Sequence, residues 1–520
     1  MATNCLHCLC MRGIVKILLK LCIVVLSITA WYFIVSTIAS RGWYLTIADE
    51  NTSYAAALAN LGIALLLGDC LRSYSRTLAG LQVPASLVGG TLVLVTLTAV
   101  RHGNETMEND IRLHVLTFWE ALPTFMTTVI FAGLVLGEPV PSPREIWNDA
   151  GNHLCYGFAV VFGQYTVCAL LTACVLVPVM GESRFFAPVI PYGFQGGHGV
   201  VAGMKDDFNK FDYQVGFDMG MAAASLGLIL GVSFGSYCVN WGSTHGHLLT
   251  GLEQVSQVAC AGSELSEESA TASDSDDAMD HRVTYMRRDA HYKELPPAGV
   301  QVIAVESMDT LAYHVSLIGL VVGVAVLVRA CLGMLIPAVK GFPLFPFCLS
   351  ASLGVQAVLN RLNLKVDRAT IQRITNSAQD FMIVAGIGLM SVESIVHQGV
   401  PFLLSCLVAF LWGVVALFVL AKLVLNDYWL ERGLIELGVS MGSTATGLML
   451  LRMADPENRT PVLKHFGFKQ ILQVMVVGGG AFDASALMIV NKSAWTLCIS
   501  SFVILLLSVA MGCATKKRNA

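Results

Sequence analysis

Phe186-Ala-Pro-Val-Ile-Pro-Tyr-Gly-Phe-Gln-Gly-Gly-His-Gly-Val-Val-Ala-Gly-Met204 is too apolar for a surface loop and too short and glycine-broken to cross a bilayer as a regular helix. Gly433-Leu-Ile-Glu-Leu-Gly-Val-Ser-Met-Gly-Ser-Thr-Ala-Thr-Gly-Leu-Met-Leu-Leu-Arg452 has the same character. Irregular backbone at membrane depth persists only where protein or a wet cavity satisfies its N–H and C=O groups. Both stretches are therefore expected to be re-entrant hairpins, 186–204 and 433–452, entering from opposite faces with their tips near the middle.

The rest of the chain supplies the membrane. Of 520 residues, 55% are hydrophobic and only 13% charged, about half the charge of soluble domains. The net charge of -4 lacks the basic excess that a nucleic-acid partner calls for. The fifteen cysteines lie mostly inside apolar runs, without metal-type spacing. An integral protein solvated by membrane lipid is left. About 20 apolar residues cross the hydrocarbon core, and such runs occur at 17–39, 54–71, 81–100, 115–137, 151–180, 213–238, 311–336, 343–360, 375–397, 400–425, 469–490 and 494–512. They lack the alternation of a membrane β-barrel, so the expected fold is an all-α polytopic membrane protein.

Orientation follows the basic residues of the short loops. Arg12, Lys16 and Lys20 place the N-terminus in the cytoplasm, and alternation brings Arg72, Arg76, Arg361, Lys365, Arg368, Arg373 and the tail Lys516-Lys517-Arg518 to the same side. The glycosylation patterns Asn51-Thr52-Ser53 and Asn104-Glu105-Thr106 then fall outside, and the plasma membrane is the expected location. Residues 1–45 form a tail and a membrane anchor or signal peptide, with Cys5, Cys8 and Cys10 open to palmitoylation. The stretch 239–310 is an acidic, serine-rich cytoplasmic linker that buries too little to fold. Residues 494–520 add one more helix and a basic tail.

The linker separates two sets of five crossings, 54–238 and 311–490. An odd number of spans per set makes the second set enter from the other face, the geometry of inverted repeats in secondary transporters. Short echoes occur in matching order: Ala132-Gly133-Leu134 with Ala385-Gly386-Ile387, Pro84 with Pro346, and Phe217-Asp218 with Phe482-Asp483. Within the hairpins, Gly196, Gly197 and Gly199 permit a close backbone approach to a ligand. A helix start after such a break offers N–H groups to a carboxylate. Freed carbonyls, with the hydroxyls of Ser443, Thr444 and Thr446, suit Na⁺. The competing reading of the same residues is close packing.

At these residues the chain resembles the bacterial sodium/glutamate symporter family, over most of 54–490. Gly196-Gly197-His198-Gly199 matches the family's Gly-Gly-His-Gly, and Gly442-Ser443-Thr444-Ala445-Thr446 matches its Gly-x-Thr-Pro-Thr except at Ala445. Val200, Val201 and Leu450 also depart from the family pattern, and the outer helices and the linker enlarge it. The resemblance implies a Na⁺-coupled importer of glutamate, in which Na⁺ is the coupling ion. By analogy with related citrate carriers it further implies a homodimer whose hairpin domain slides as an elevator. The small-carboxylate substrate would be held by Gln195, Gly196, Gly197, His198, Gly199, Gly442, Ser443, Thr444, Thr446 and Gln164. Na⁺ would be held by Ser443, Thr444, Thr446, Asp483 and Asp218.

Each polar residue has a plainer alternative. Asp218 and Asp483 stand at or in apolar runs, where an acid costs about 2.5–3.5 kcal/mol; they bind a cation, brace the hairpins or cap a helix. Gln164 contacts substrate or another helix, and His198 contacts a carboxylate or locks its turn. Arg452 pairs with substrate or snorkels. Gly216, Gly220 and Ala224, then Gly227, Gly231 and Gly235, form ladders at spacing four that seat the fifth span against a hairpin. Gly231-Val-Ser233-Phe-Gly235 and Gly438-Val-Ser440-Met-Gly442 fit the hydrolase nucleophile pattern but lack its strand-to-helix setting. The expected protein is thus a transporter and not an enzyme, with a channel and an intramembrane hydrolase as its rivals.

Overall fold

In a computed structural model of the chain, the described residues are 50–75, 78, 83–103, 117–138, 143–248, 308–336, 339–340, 342–442, 444–455 and 459–519. The N-terminal run 17–39, Cys5, Cys8, Cys10, the second glycosylation pattern, Ser443 and most of the linker lie outside them. The helices in order are α1 Glu50–Tyr74, α2 Ala85–Gly103, α3 Thr117–Gly133, α4 Pro143–Leu171, α5 Val189–Gly203, α6 Lys205–Lys210, α7 Val215–Thr244, α8 Thr310–Leu335 and α9 Phe345–Arg361. They continue as α10 Arg368–Gly388, α11 Val392–His397, α12 Gly399–Val415, α13 Trp429–Met441, α14 Thr444–Ala454, α15 Val462–Val476, α16 Ala481–Val490 and α17 Ala494–Asn519. Among the described residues the regular structure is entirely helical.

Among the described residues, six stretches are long and apolar enough to cross a membrane: Trp147–Met180, Val215–Thr244, Thr310–Leu335, Gly399–Val424, Val462–Val490 and Ala494–Lys516. They match six of the twelve runs in the sequence. The other described runs make shorter or more polar helices. At 17 residues, α9 reaches about 26 Å, short of the hydrocarbon core, and α10 opens with Arg368, Gln372 and Arg373. On α12 and its continuation, Leu403, Leu407, Leu411, Val415 and Val419 make an exposed apolar stripe at spacing four. Lipid is the medium in which such a face costs nothing. The protein is an all-α, multi-pass membrane protein.

Two compact units form, and each draws on both sides of the linker: Met1–Ile130 with Thr375–His397, and Phe131–Ile374 with Gln398–Ala520. In the first, Ala57, Leu61, Val93, Leu97, Trp119, Leu122, Val384 and Ala385 share one core. The Trp119 indole N–H donates to the Ala57 carbonyl at 3.0 Å. A Cβ added to Gly68 would stand 2.6 Å from the Gly89 nitrogen, so glycine is what lets α1 and α2 cross closely. Asn51-Thr52-Ser53 falls in the helical first turn of α1 rather than in a loop.

The second unit contains both glycine-broken stretches. The fourth span of each half ends the same way. After α4 comes a π-turn at Thr172–Leu176 and a last α-turn to Met180; after α12 comes a π-turn at Ala416–Leu420 and a last α-turn to Val424. A broken segment follows each. The two spans also pack on each other: the Trp412 indole lies where a Gly163 side chain would be and donates to the Val160 carbonyl at 2.7 Å. Gly163→Ala is expected to destabilise the unit by about 1–3 kcal/mol through overpacking, read as a lower unfolding midpoint in detergent. An unchanged midpoint would mean that Trp412 swings aside freely.

Candidate functional site: two broken segments that meet

Gly197 is the one non-helical residue inside α5, at φ 62° and ψ -165°. Only glycine adopts that conformation without strain. The flanking arms both reach α7 at Gly220: a Cβ on Gly193 would lie 2.6 Å from the Gly220 carbonyl oxygen, and Val201 packs 2.7 Å from where a Gly220 Cβ would stand. The second segment breaks between α13 and α14. Its arms close on each other at Gly438 and Gly447, where an added Cβ would meet the Gly447 Cα at 2.6 Å.

The two breaks face one another. A Cβ on Gly197 would stand 2.7 Å from the Gly442 carbonyl oxygen, so the first turn presses its backbone against the second. Behind them runs the small-residue face of α7: Gly227 faces the Met441 carbonyl and Phe194, Gly231 faces Met441, and Gly235 faces Leu450. The expected ladder thus seats α7 against both broken segments, one more than its spacing implied.

Two glutamines reach residues 440–444, and a third stands beside the first break. Gln164 of α4 donates to the Ser440 carbonyl at 3.3 Å. Gln470 of α15 donates to the Thr444 hydroxyl at 3.2 Å. Gln195 stands two residues before Gly197. Each keeps a buried amide atom without a hydrogen-bond partner: Gln164 Oε1, Gln470 Oε1 and Gln195 Nε2. An unmet buried polar atom costs about 1–3 kcal/mol, so two at the second break, with a third beside the first, mark a place prepared for polar company. Thr446, also buried, points its hydroxyl toward Gly442. Gly196 and Gly199 are half-buried in the first turn.

Other expected residues fall elsewhere. His198 is pinned by a 3.0 Å hydrogen bond between Nε2 and the Ser225 hydroxyl of α7, the arrangement of a turn lock. Asp218 is half-buried in the first turn of α7. Nine residues separate it from Gly227, about 14 Å along the axis, which removes it from the meeting point. Arg452 is exposed in the last turn of α14. Asp483 is buried at a third break, Val477–Gly480, where Gly478 and Gly479 have φ of 80° and 105°. Its carboxylate accepts from the Tyr165 hydroxyl at 2.7 Å and the Gly479 N–H at 2.6 Å, and its carbonyl accepts from Tyr192 of α5 at 2.7 Å. Asp483 therefore braces the third break and ties it to the first segment. Ser440, of the hydrolase pattern, donates to the Leu437 carbonyl at 3.0 Å, and Ser233 is exposed on α7.

At the exit of the second segment, Asp455 accepts from the Thr460 hydroxyl at 2.6 Å and from the Thr460 and Arg459 N–H groups at 2.9 Å. Burial opposes its charge, but these hydrogen bonds outweigh burial and hold its carboxyl below the ordinary range. The staple is in force above the usual carboxyl range and is lost as pH falls through the lowered pKa.

Gln470, Tyr165, Tyr192 and the Gly478–Gly480 break were not among the expected site residues. A triple glycine in an apolar run was the available signal for the last. No protein-family model matches the chain, and no curated protein does.

Proposed function

We propose that the chain is a secondary active transporter that carries a small carboxylate, glutamate or a close relative, driven by Na⁺. The observation that carries this reading is the meeting of Gly197 and Gly442, with the unmet amide oxygens of Gln164 and Gln470 at the second break and the unmet amide nitrogen of Gln195 beside the first. Broken helices with free backbone groups at the interface of repeats are where such transporters bind substrate and ion. The shared sequence of long span, π-turn, last α-turn and broken segment in the two halves supports an inverted repeat.

In this reading the carboxylate accepts from backbone N–H groups around 196–199 and 442–446 and from Gln195 Nε2. Gln164 Oε1 and Gln470 Oε1 face an ammonium group or Na⁺, since each is an acceptor lacking a donor. Thr444, Thr446 and freed carbonyls supply the hard oxygens a cation prefers. The family resemblance extends the proposal to a homodimer working as an elevator in the plasma membrane.

The decisive experiment is uptake by purified protein in proteoliposomes, across a panel of amino and dicarboxylic acids with and without a Na⁺ gradient. Saturable, Na⁺-dependent uptake of one class is expected; flux without saturation would turn the reading into a channel. Asp483→Asn is expected to raise the Na⁺ concentration for half-maximal uptake about tenfold, equivalent to about 1.4 kcal/mol. A Na⁺ dependence identical to wild type would leave Asp483 as a brace alone.

A further inference from the structure

Below the second broken segment, α4, α13 and α15 each carry polar residues at a spacing of four. Asp149 and His153, with Gly157 one turn on, line α4; Arg432 and Glu436 line α13; His465, Lys469 and Gln473 line α15. On a helix these are successive turns of one face. The rungs meet. At the outer end Lys464 lies 3.4 Å from Asp149, both well exposed. One level in, buried Arg432 stands 3.0 Å from Asp427 and 3.0 Å from His465 Nδ1. A turn deeper, Glu436 Oε1 receives both His153 Nε2, at 3.0 Å, and the Lys469 ammonium. Lys469 also donates to Gln473 Oε1 at 2.6 Å. His153, Glu436 and Lys469 are at most 1% exposed. The missing side chain of Gly157 leaves the space into which Gln473 Oε1, Glu436 Oε2 and Lys469 Nζ converge.

Two features set this cluster apart from an inert ion pair. Two nitrogen groups crowd one carboxylate oxygen, and both ring nitrogens of His153 and Glu436 Oε1 are buried without an aligned hydrogen-bond partner. A neutral imidazole that turns Nε2–H to a carboxylate keeps a lone pair on Nδ1, and that atom can accept a proton. We propose that His153 and Glu436, beside Lys469, form a proton-binding site separate from the meeting point of the two breaks. The site exchanges one proton with water on the Asp149–Lys464 side. The proton adds to the lone pair of Nδ1, or passes through the ring to the Glu436 carboxylate, and leaves by the same route.

The charged groups around it are Lys469 and His465 of α15, Arg432 of α13 with Asp427 against it, and Asp149 of α4, with Tyr156 the neighbouring phenol. Helix α17, also packed on α4, brings Thr515 to Asn152 and commits Lys516 to the Lys422 carbonyl. Glu436 sits on the same helix as Ser440, six residues before Gly442. On the transport reading, protonation that loosens Glu436 from Lys469 therefore acts on the second broken segment. Proton binding itself does not depend on that reading.

The test is infrared difference spectroscopy of full-length protein in lipid nanodiscs, titrated between about pH 3 and about pH 8, with neither Na⁺ nor any transported solute present. Wild type is expected to show a carboxyl or imidazole protonation change that vanishes in both E436Q and H153Q. If E436Q does not yield folded protein, E436Q/K469Q, which removes both charges, takes its place. A difference spectrum unchanged by these substitutions, or no protonation change in wild type, overturns the proposal. A protein that carries no carboxylate yet loses its proton signal in H153Q would refute the transport reading and keep this one.

Discussion

Gly197→Ala is expected to lower uptake by about 100-fold or more while the protein still folds. The first contribution is local. Gly197 has φ of 62° and ψ of -165°, a region essentially confined to glycine that costs an L-residue about 1–3 kcal/mol. The second is positional. The new methyl would sit 2.7 Å from the Gly442 carbonyl oxygen, closer than side-chain carbons approach backbone oxygen. That oxygen belongs to the turn joining α13 to α14, which Gln164 and Gln470 hold at Ser440 and Thr444, so it yields only if the whole break moves. A displacement of about 1 Å at a binding site is enough for a 100-fold loss. Gly467→Ala is the control: nothing lies within 4 Å of its added Cβ and its backbone is ordinary helix. Uptake should be unchanged there, with size-exclusion profiles and helical circular dichroism alike for both variants. Full uptake by Gly197→Ala would mean that the two breaks do not form the site.

Why the fold was readable while the site was only partly so follows from range. Apolar runs and glycine breaks are local properties, and both broken segments are visible in one short window each. Ser440, Gly442 and Thr444 were within reach because they lie in such a window. Gln470 was not: it sits 26 residues from Thr444, and only packing brings it there. Tyr165 and Asp483 meet across 318 residues, so Asp483 looked equally able to bind a cation or to brace. Asp218 was paired with Asp483 because both follow a Phe. The two acids open helices in different surroundings: Asp218 is half-buried at the start of α7, while Asp483 is buried behind a glycine break.

The buried charges were the least legible. Glu436 lies inside a quoted stretch, and Lys469 opens an apolar run, yet separately each reads as an ordinary helix residue. Their pairing predicts a large stability effect. Lys469→Met leaves Glu436 facing only His153 in a fully enclosed place. Removing one partner of such a pair costs about 3–5 kcal/mol. The double variant E436Q/K469M removes both charges, and replacing a whole buried pair is close to neutral. Its stability should therefore recover most of the loss, a strongly non-additive cycle measurable by chemical unfolding in detergent. Additive losses would mean that the two side chains do not compensate each other in the folded protein. Gly157→Ala supplies an independent check, because its methyl would push against Gln473 Oε1 and crowd Glu436 and Lys469. It should destabilise wild type more than E436Q/K469M, where no charge is left to be displaced from its partner.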